Sequence, residues 1–138
     1  SSARKKEEHI LSRALESTQF IGLDEVKDVA AQSLSHGPKR ILGIAIALAA
    51  EPKLLLLDEP ISGMSAEEAT ETVALIKKIW QQGTSLLLIE HNMRAAMSLC
   101  QRIVVLNFGR KIAEGPPEEI TKNKDVIQAY LGVGGHVA

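Results

Sequence analysis

The spacing of hydrophobic and polar residues divides this chain into helices and short strands. In the longer segments apolar side chains recur at helical spacing, whereas the shorter apolar runs are bounded by proline, glycine or charged residues. The predicted helices are residues 3–21, 37–50, 67–82, 92–99 and 118–131, with a short helical piece at 24–30. The predicted strands are residues 54–57, 84–89, 102–107 and 111–114, the last two joined by a tight turn at 108–110. This order of elements indicates an α/β fold.

Two adjacent carboxylates, Asp58 and Glu59, follow the run of four leucines at residues 54–57. The short run between two prolines favours a strand covered on both faces, as in a parallel α/β sheet. Ligands bind just beyond the carboxyl ends of such strands. Asp58 is therefore a candidate for holding Mg²⁺ through retained water, and Glu59 for orienting or deprotonating an attacking water. A solvated strand end explains the same pair equally well.

A candidate phosphate site lies at residues 34–40, Leu-Ser-His-Gly-Pro-Lys-Arg, where the second predicted helix begins. Pro38 occupies a first-turn position that needs no amide hydrogen. Free amides, the hydroxyl of Ser35 and the small Gly37 suit close approach by a phosphate. Taken alone, Ser35 is more simply explained as an N-cap. Its distance along the chain from the carboxylate pair favours the phosphate site.

His91 follows the second buried strand, residues 84–89, at its carboxyl end. A lone histidine is more often a surface or core residue than a catalytic one. In the same sheet as Asp58 and Glu59, however, this histidine would lie where it can contact a transferred phosphate and orient the attacking water.

Composition bounds the class of protein. The chain has 138 residues, 45% of them hydrophobic, and a net charge of -1, which excludes a disordered tail and a broadly basic nucleic-acid binder. Only 3% of residues are aromatic, so the stacking platforms of single-strand binders are missing. The longest apolar run, residues 41–50, is too short to span a bilayer. Cys100, the single cysteine, cannot form an internal disulfide, and a reducing cytosol fits.

These segments together resemble the ABC-type ATPases. Residues 34–40 resemble the signature motif, residues 54–60 the Walker B segment and residues 61–65 the D-loop, while His91 stands at the switch histidine. Residues 113–132, Ala-Glu-Gly-Pro-Pro-Glu-Glu-Ile through Val-Ile-Gln-Ala-Tyr-Leu-Gly, resemble the C-terminal extension of ATP-binding subunits that serve branched-chain amino acid importers.

The resemblance implies a fold and a domain organisation. The fold class is α/β, with the C-terminal part of the mainly parallel sheet of a P-loop NTPase-like ABC ATPase core, flanked by helices. Residues 1–33 are then part of the helical subdomain, residues 34–115 the C-terminal part of the ATPase core, and residues 116–138 the C-terminal extension.

The resemblance also implies a function: an ATP-binding and ATP-hydrolysing subunit of a branched-chain amino acid importer. By position, Asp58 is implied for Mg²⁺, Glu59 as the catalytic carboxylate and His91 as the γ-phosphate sensor. The ATP of the partner subunit would be contacted by three signature residues, Ser35, His36 and Gly37. ATP and Mg²⁺ are the implied cofactors.

The implied partners are a second ATP-binding subunit, transmembrane permease subunits and, indirectly, a substrate-binding protein, with no nucleic acid. The implied location is the cytoplasmic face of the membrane. Other cargoes, such as urea or amide uptake or lipopolysaccharide export, and a non-hydrolytic truncated interaction module remain alternatives.

The chain also departs from the family pattern. Pro38 replaces the usual signature glutamine, and Ser65 replaces the usual D-loop aspartate. No Gly-x-x-x-x-Gly-Lys-Ser/Thr occurs, so we expect the chain to be the C-terminal half of a subunit, without ATPase activity alone and with an exposed sheet edge.

Overall fold

The computed structural model of the protein describes residues 2–131. The chain divides into one unit from Ser1 to Leu87 and a second from Leu88 to Ala138. No helix among the described residues is long and apolar enough to cross a membrane.

Three helices form most of the first unit. They are α1 (Ser2–Phe20), α2 (His36–Leu48) and α3 (Ala66–Gln81), with short 3₁₀ turns at Asp24–Val26 and Ala31–Ser33 between the first two. Strand β1 (Leu54–Asp58) lies between α2 and α3, and strand β2 (Ser85–Ile89) follows α3. The two strands are neighbours in one sheet, and the amide of Ser85 donates to the carbonyl of Lys53 at 3.0 Å. They therefore begin side by side.

Helix α3 is fixed at both ends by local sequence. A reciprocal capping box starts it, in which the Ser65 hydroxyl accepts from the Glu68 amide at 3.2 Å and the Glu68 carboxylate accepts from the Ser65 amide at 2.9 Å. Gly83, just past the end, has a φ of 98°, a conformation that favours glycine. The buried face of the helix consists of Thr72, Leu75, Ile76 and Ile79.

The four leucines do form a strand, but the prediction that both of its faces are covered was wrong. Leu55 and Leu57 are buried, whereas Leu54 and Leu56 are 54% and 65% exposed. Successive side chains of a strand point to opposite faces. The described part of the chain covers only one of them.

The second unit is built on an antiparallel hairpin that follows helix α4 (Met93–Leu99). Strands β3 (Ile103–Asn107) and β4 (Arg110–Gly115) pair with Val104 opposite Glu114, and the register shifts between Val105 and Leu106. The core of the unit is formed by Val105, Ile120 and Val126. The turn uses positive φ at Phe108 and Gly109, as a tight hairpin requires.

The single helix predicted at residues 118–131 is instead three short pieces: α5 (Pro117–Ile120), α6 (Lys124–Val126) and a π-helical stretch (Ile127–Leu131). Asn123 causes the break, because its side-chain oxygen accepts from the amides of Asp125 and Val126 at 2.9 and 3.2 Å. It thereby caps a new helix instead of continuing the old one. The rest of the predicted C-terminal extension, residues 132–138, lies outside the described residues.

We predict a strongly acidic carboxyl group in this unit. Hydrogen bonds from Lys111, at 2.7 Å, and from Arg102 lower the pKa of Glu114 from 4.5 to about 2. A depressed pKa stabilises the folded state above pH 4.5, and this contribution is lost as the pH falls towards 2. A carbon-detected NMR titration should find the low value, and Glu114→Gln should flatten the pH dependence of unfolding in that window.

The matched control is Glu118→Gln, on the exposed side of α5. The loss of stability at low pH that comes from Glu114 should remain in this variant. A Glu114 carboxyl that titrates near 4.5 would contradict the ion-pair geometry.

Candidate functional site

The first turn of α2 and the loop after β1 meet within the first unit, and each carries residues predicted to act on a nucleotide. We call residues 59–65 the post-strand loop. Two contacts join the two segments, Arg40 to the Glu59 carbonyl and His36 to the Ser62 carbonyl, and Gly37 also lies against the side chain of Glu68 in the first turn of α3. The structure therefore brings the predicted signature and Walker B segments together.

The two predicted carboxylates differ in their surroundings. Asp58 is the last residue of β1 and is exposed, whereas Glu59 is half-buried. The φ of Glu59 is 45°, in the left-handed region, which costs a residue other than glycine about 1 to 2 kcal/mol. Pro60 follows, and the carbonyl of Glu59 accepts from the Ser62 amide at 3.1 Å. The strand thus ends in a tight turn with proline at its second position.

Arg40 holds the same turn from helix α2. Its guanidinium donates to the carbonyl of Glu59, so this oxygen has two donors, the Ser62 amide and Arg40. A cationic donor makes a stronger hydrogen bond than a neutral one. The backbone of the candidate catalytic residue is therefore fixed by the signature helix.

His36 makes the second contact. Its Nε2 lies 3.3 Å from the carbonyl oxygen of Ser62. A carbonyl oxygen only accepts, so Nε2 is the nitrogen that carries the hydrogen. The neighbouring Gly63 has a φ of 75°, and a Cβ there would lie 3.3 Å from Nε2 of His36. The loop backbone therefore passes directly against the imidazole ring.

Ser35 stands at the N-cap position of α2 without acting as a cap through its side chain. Its backbone is extended, with φ of -67° and ψ of 173°, and its hydroxyl makes no capping hydrogen bond. The first helical bond runs from the Lys39 amide to the Ser35 carbonyl at 3.1 Å, so the amides of His36 and Gly37 precede it. The exposed hydroxyl and this helix start are arranged as an anion would require.

Gly37 is buried against the carboxylate that caps α3. A Cβ added to Gly37 would lie 2.6 Å from Oε1 of Glu68. Neither Glu68 nor Arg40 was among the sequence-predicted site residues. Glu68 could have been found from the Ser-x-x-Glu spacing of residues 65–68, because this spacing is the pattern of a capping box. No comparable pattern marks Arg40.

His91 belongs to the second unit, where it is exposed between β2 and α4. The next residue, Asn92, caps α4 by accepting from the Ala95 amide at 3.0 Å. The amide of Asn92 faces the Glu90 carboxylate at 3.4 Å. That His91 shares a site with Asp58 and Glu59 stays a prediction.

No cluster of three or more His, Cys, Asp or Glu side chains in the described ranges is placed to hold a metal ion. Mg²⁺ differs from metals that need such a cage, because it keeps several waters and takes only one or two carboxylates beside phosphate oxygens. The exposed carboxylate of Asp58 fits that use.

Comparison with known proteins identifies the family. A model of the ABC transporter family matches residues 2–62, and one of the branched-chain amino acid ATP-binding cassette transporter matches residues 110–136. The chain belongs to the ABC transporter ATP-binding proteins. It is 40% identical over 132 residues to LivG of Escherichia coli K12, a high-affinity branched-chain amino acid transport ATP-binding protein, covering 95% of this chain and 52% of LivG.

Other members of the family are similar to a comparable extent. BraF of Pseudomonas aeruginosa, with the same description as LivG, is 38% identical over 94% of this chain and 51% of BraF. The lipopolysaccharide export ATP-binding protein LptB of Escherichia coli K12 is 36% identical over 87% of this chain and 50% of LptB. The chain spans about half the length of the curated relatives it matches.

Solved structures agree on the fold. The ADP conformation of MJ1267, an ATP-binding cassette of an ABC transporter, matches 91% of this chain and 51% of its own, with a TM-score of 0.80 and 26% identity. A nucleotide-free ATP-binding cassette matches 93% of this chain and 52% of its own, with a TM-score of 0.81 and 26% identity. The predicted ABC ATPase fold is thereby confirmed.

We predict that Gly37→Ala and Glu68→Ala are energetically coupled. In the native background the new methyl would lie 2.6 Å from Oε1 of Glu68 and makes the carboxylate move, which weakens the capping bond of Oε2 to the Ser65 amide and costs up to about 1 kcal/mol of unfolding free energy. With Glu68→Ala already present the clash is absent, so Gly37→Ala should be neutral or stabilising by up to about 1 kcal/mol. Urea unfolding of the four proteins measures the difference.

Gly43→Ala in the same helix is the matched control, since nothing lies within 4 Å of a Cβ built there. It should stabilise both backgrounds equally. Equal effects of Gly37→Ala in the two backgrounds would show that Gly37 and Glu68 do not pack as described.

Proposed function

We propose that this chain forms part of the ATP-binding subunit that powers a branched-chain amino acid importer. The ATP-binding role is supported by the contact between the start of α2 and the post-strand loop. This contact holds a helix N-terminus against the loop that follows Asp58 at the end of β1 and begins with Glu59. The match of residues 110–136 supports the choice of cargo.

In this proposal the start of α2 binds the γ-phosphate of an ATP molecule held by a second ATP-binding subunit. The hydroxyl of Ser35 and the amides of His36 and Gly37 would donate to phosphate oxygens. Support comes from the hydroxyl of Ser35, which is exposed and makes no capping bond. Pro38, which stands in place of the usual glutamine, removes one amide donor from this turn. The amides of His36 and Gly37 remain.

The carboxylates would serve a second nucleotide, bound on the same subunit. Asp58 would hold Mg²⁺ through water, and the bound ion would supply charge neutralisation at the phosphates. Glu59 would orient the attacking water and accept its proton, and His91 would contact the γ-phosphate. The 138 residues contain no Gly-x-x-x-x-Gly-Lys-Ser/Thr, so the proposal assigns the phosphate cradle to polypeptide outside them.

The further proposed partners are permease subunits in the membrane, which closure and opening of the dimer would drive, and a substrate-binding protein that acts through them. The proposed location is the cytoplasmic face of that membrane. The proposed domains are residues 1–33 in the helical subdomain, 34–115 in the ATPase core and 116–138 in the C-terminal extension.

The test is ATP hydrolysis by the full gene product that carries these residues, assembled with its permease. Glu59→Gln removes the proposed base while keeping the side-chain size, and should lower kcat about 10²- to 10⁴-fold with little change in nucleotide affinity. Glu67→Gln, on the exposed first turn of α3, is the matched control and should hydrolyse ATP at the native rate. Native kcat in Glu59→Gln would refute the catalytic assignment.

Uptake of labelled leucine by the same assembly tests the cargo. The proposal predicts ATP-dependent leucine uptake that Glu59→Gln abolishes. ATP hydrolysis without leucine uptake would overturn the cargo assignment and favour one of the other cargoes, such as urea, amides or exported lipopolysaccharide.

A further inference from the structure

The carbonyl oxygen of Glu59 is the point at which α2 reaches the end of β1. It accepts from the Ser62 amide at 3.1 Å within its own turn and from the guanidinium of Arg40 on the helix. Both lone-pair directions of this oxygen are therefore used. Arg40 is half-buried, 19 positions before its acceptor.

The backbone of Glu59 is stabilised by such an anchor. Its φ of 45° lies in a region that residues with a Cβ avoid, so a hydrogen bond from outside the turn helps to keep glutamate there. A hydrogen bond from a cation is stronger than one from a neutral donor, and a half-buried one is less screened by water than an exposed one. Arg40 thus fixes the peptide that sets the direction of the Glu59 side chain.

We propose that Arg40 is a positioning residue for Glu59: it holds the strained turn, and with it the carboxylate, in the orientation that catalysis needs. The catalytic part of this inference rests on the function proposed above. Arg40 acts through the backbone of Glu59 and is not itself a catalytic residue.

Arg40 also lies close in sequence to the residues that are proposed to bind ATP. Ser35 and Gly37, which are proposed to meet the ATP of the partner subunit, lie within five residues of Arg40 on α2. His36 adds a parallel contact to the Ser62 carbonyl at 3.3 Å. Two hydrogen bonds inside one chain therefore join the start of α2 to the loop that begins with Glu59.

The first experiment uses NMR on the 138-residue chain and needs no nucleotide. Arg40→Met keeps the length of the side chain and removes the donor, and Arg40→Lys restores a cationic donor. We expect Arg40→Met to shift the Glu59 Cα resonance and its HN–Hα coupling away from the left-handed values. Exchange of the Ser62 amide with water should rise about tenfold or more, and Arg40→Lys should recover much of both changes.

Lys39→Met is the matched control, because the Lys39 ammonium group donates to the Gln32 carbonyl at 2.9 Å instead of to the loop. It should leave the Glu59 signals and the Ser62 exchange rate unchanged. If Arg40→Met does not fold, Arg40→Leu, which also removes the donor, supplies the same two readouts. Native Glu59 signals in a folded variant that lacks the donor overturn the inference.

The second experiment measures ATP hydrolysis by the full gene product. Arg40→Met should lower kcat with KM nearly unchanged, and should lower it little further when Glu59→Gln is already present, because both changes disable one carboxylate. A full additional loss in the double variant would overturn the positioning role. Should Glu59→Gln alone keep native activity, the catalytic assignment fails, and the NMR result still decides whether Arg40 holds the turn.

Discussion

The candidate site of the first unit depends on one hydrogen-bonded junction between the start of α2 and the post-strand loop. The carbonyls of Glu59 and Ser62 accept from Arg40 and His36, and Gly37 lies against the carboxylate that caps α3. The two hydrogen bonds are accepted by backbone atoms of the loop, so they fix its path whatever its exposed side chains are. They hold the left-handed residue after β1 from outside its own turn.

Each side of the junction has a simple local cause. Ser35 has an extended backbone, and His36 is the first residue of the helix. The strand ends just before Pro60, which favours a turn. Small residues occur where chains approach closely: Gly37 against Glu68, and Gly63 against the ring of His36. The capping box of α3 completes the junction, because Glu68 serves both as a cap and as a packing surface.

Sequence patterns predicted much of this architecture and missed its connections. Most helices and strands were placed to within a few residues because their periodicity is local, and the exception is the segment 118–131, which Asn123 divides. Ser65 was identified as a departure from the family pattern, but its capping role was not predicted. The leucine run predicted a strand correctly but not the exposure of Leu54 and Leu56, since composition does not tell which surfaces other elements cover. Arg40 was included only as the last residue of the segment 34–40, and its contact with Glu59 was not predicted, because an arginine that binds a distant backbone carbonyl has no spacing rule.

The most direct test of the junction asks which ring nitrogen of neutral His36 carries the hydrogen and whether the ring contacts Ser62. Nitrogen and carbon NMR of the 138-residue chain measures both. The account predicts a proton on Nε2 and a Ser62 carbonyl resonance that moves in His36→Phe but not in His9→Phe on α1. A proton on Nδ1, with a Ser62 carbonyl resonance indifferent to His36→Phe, would contradict it.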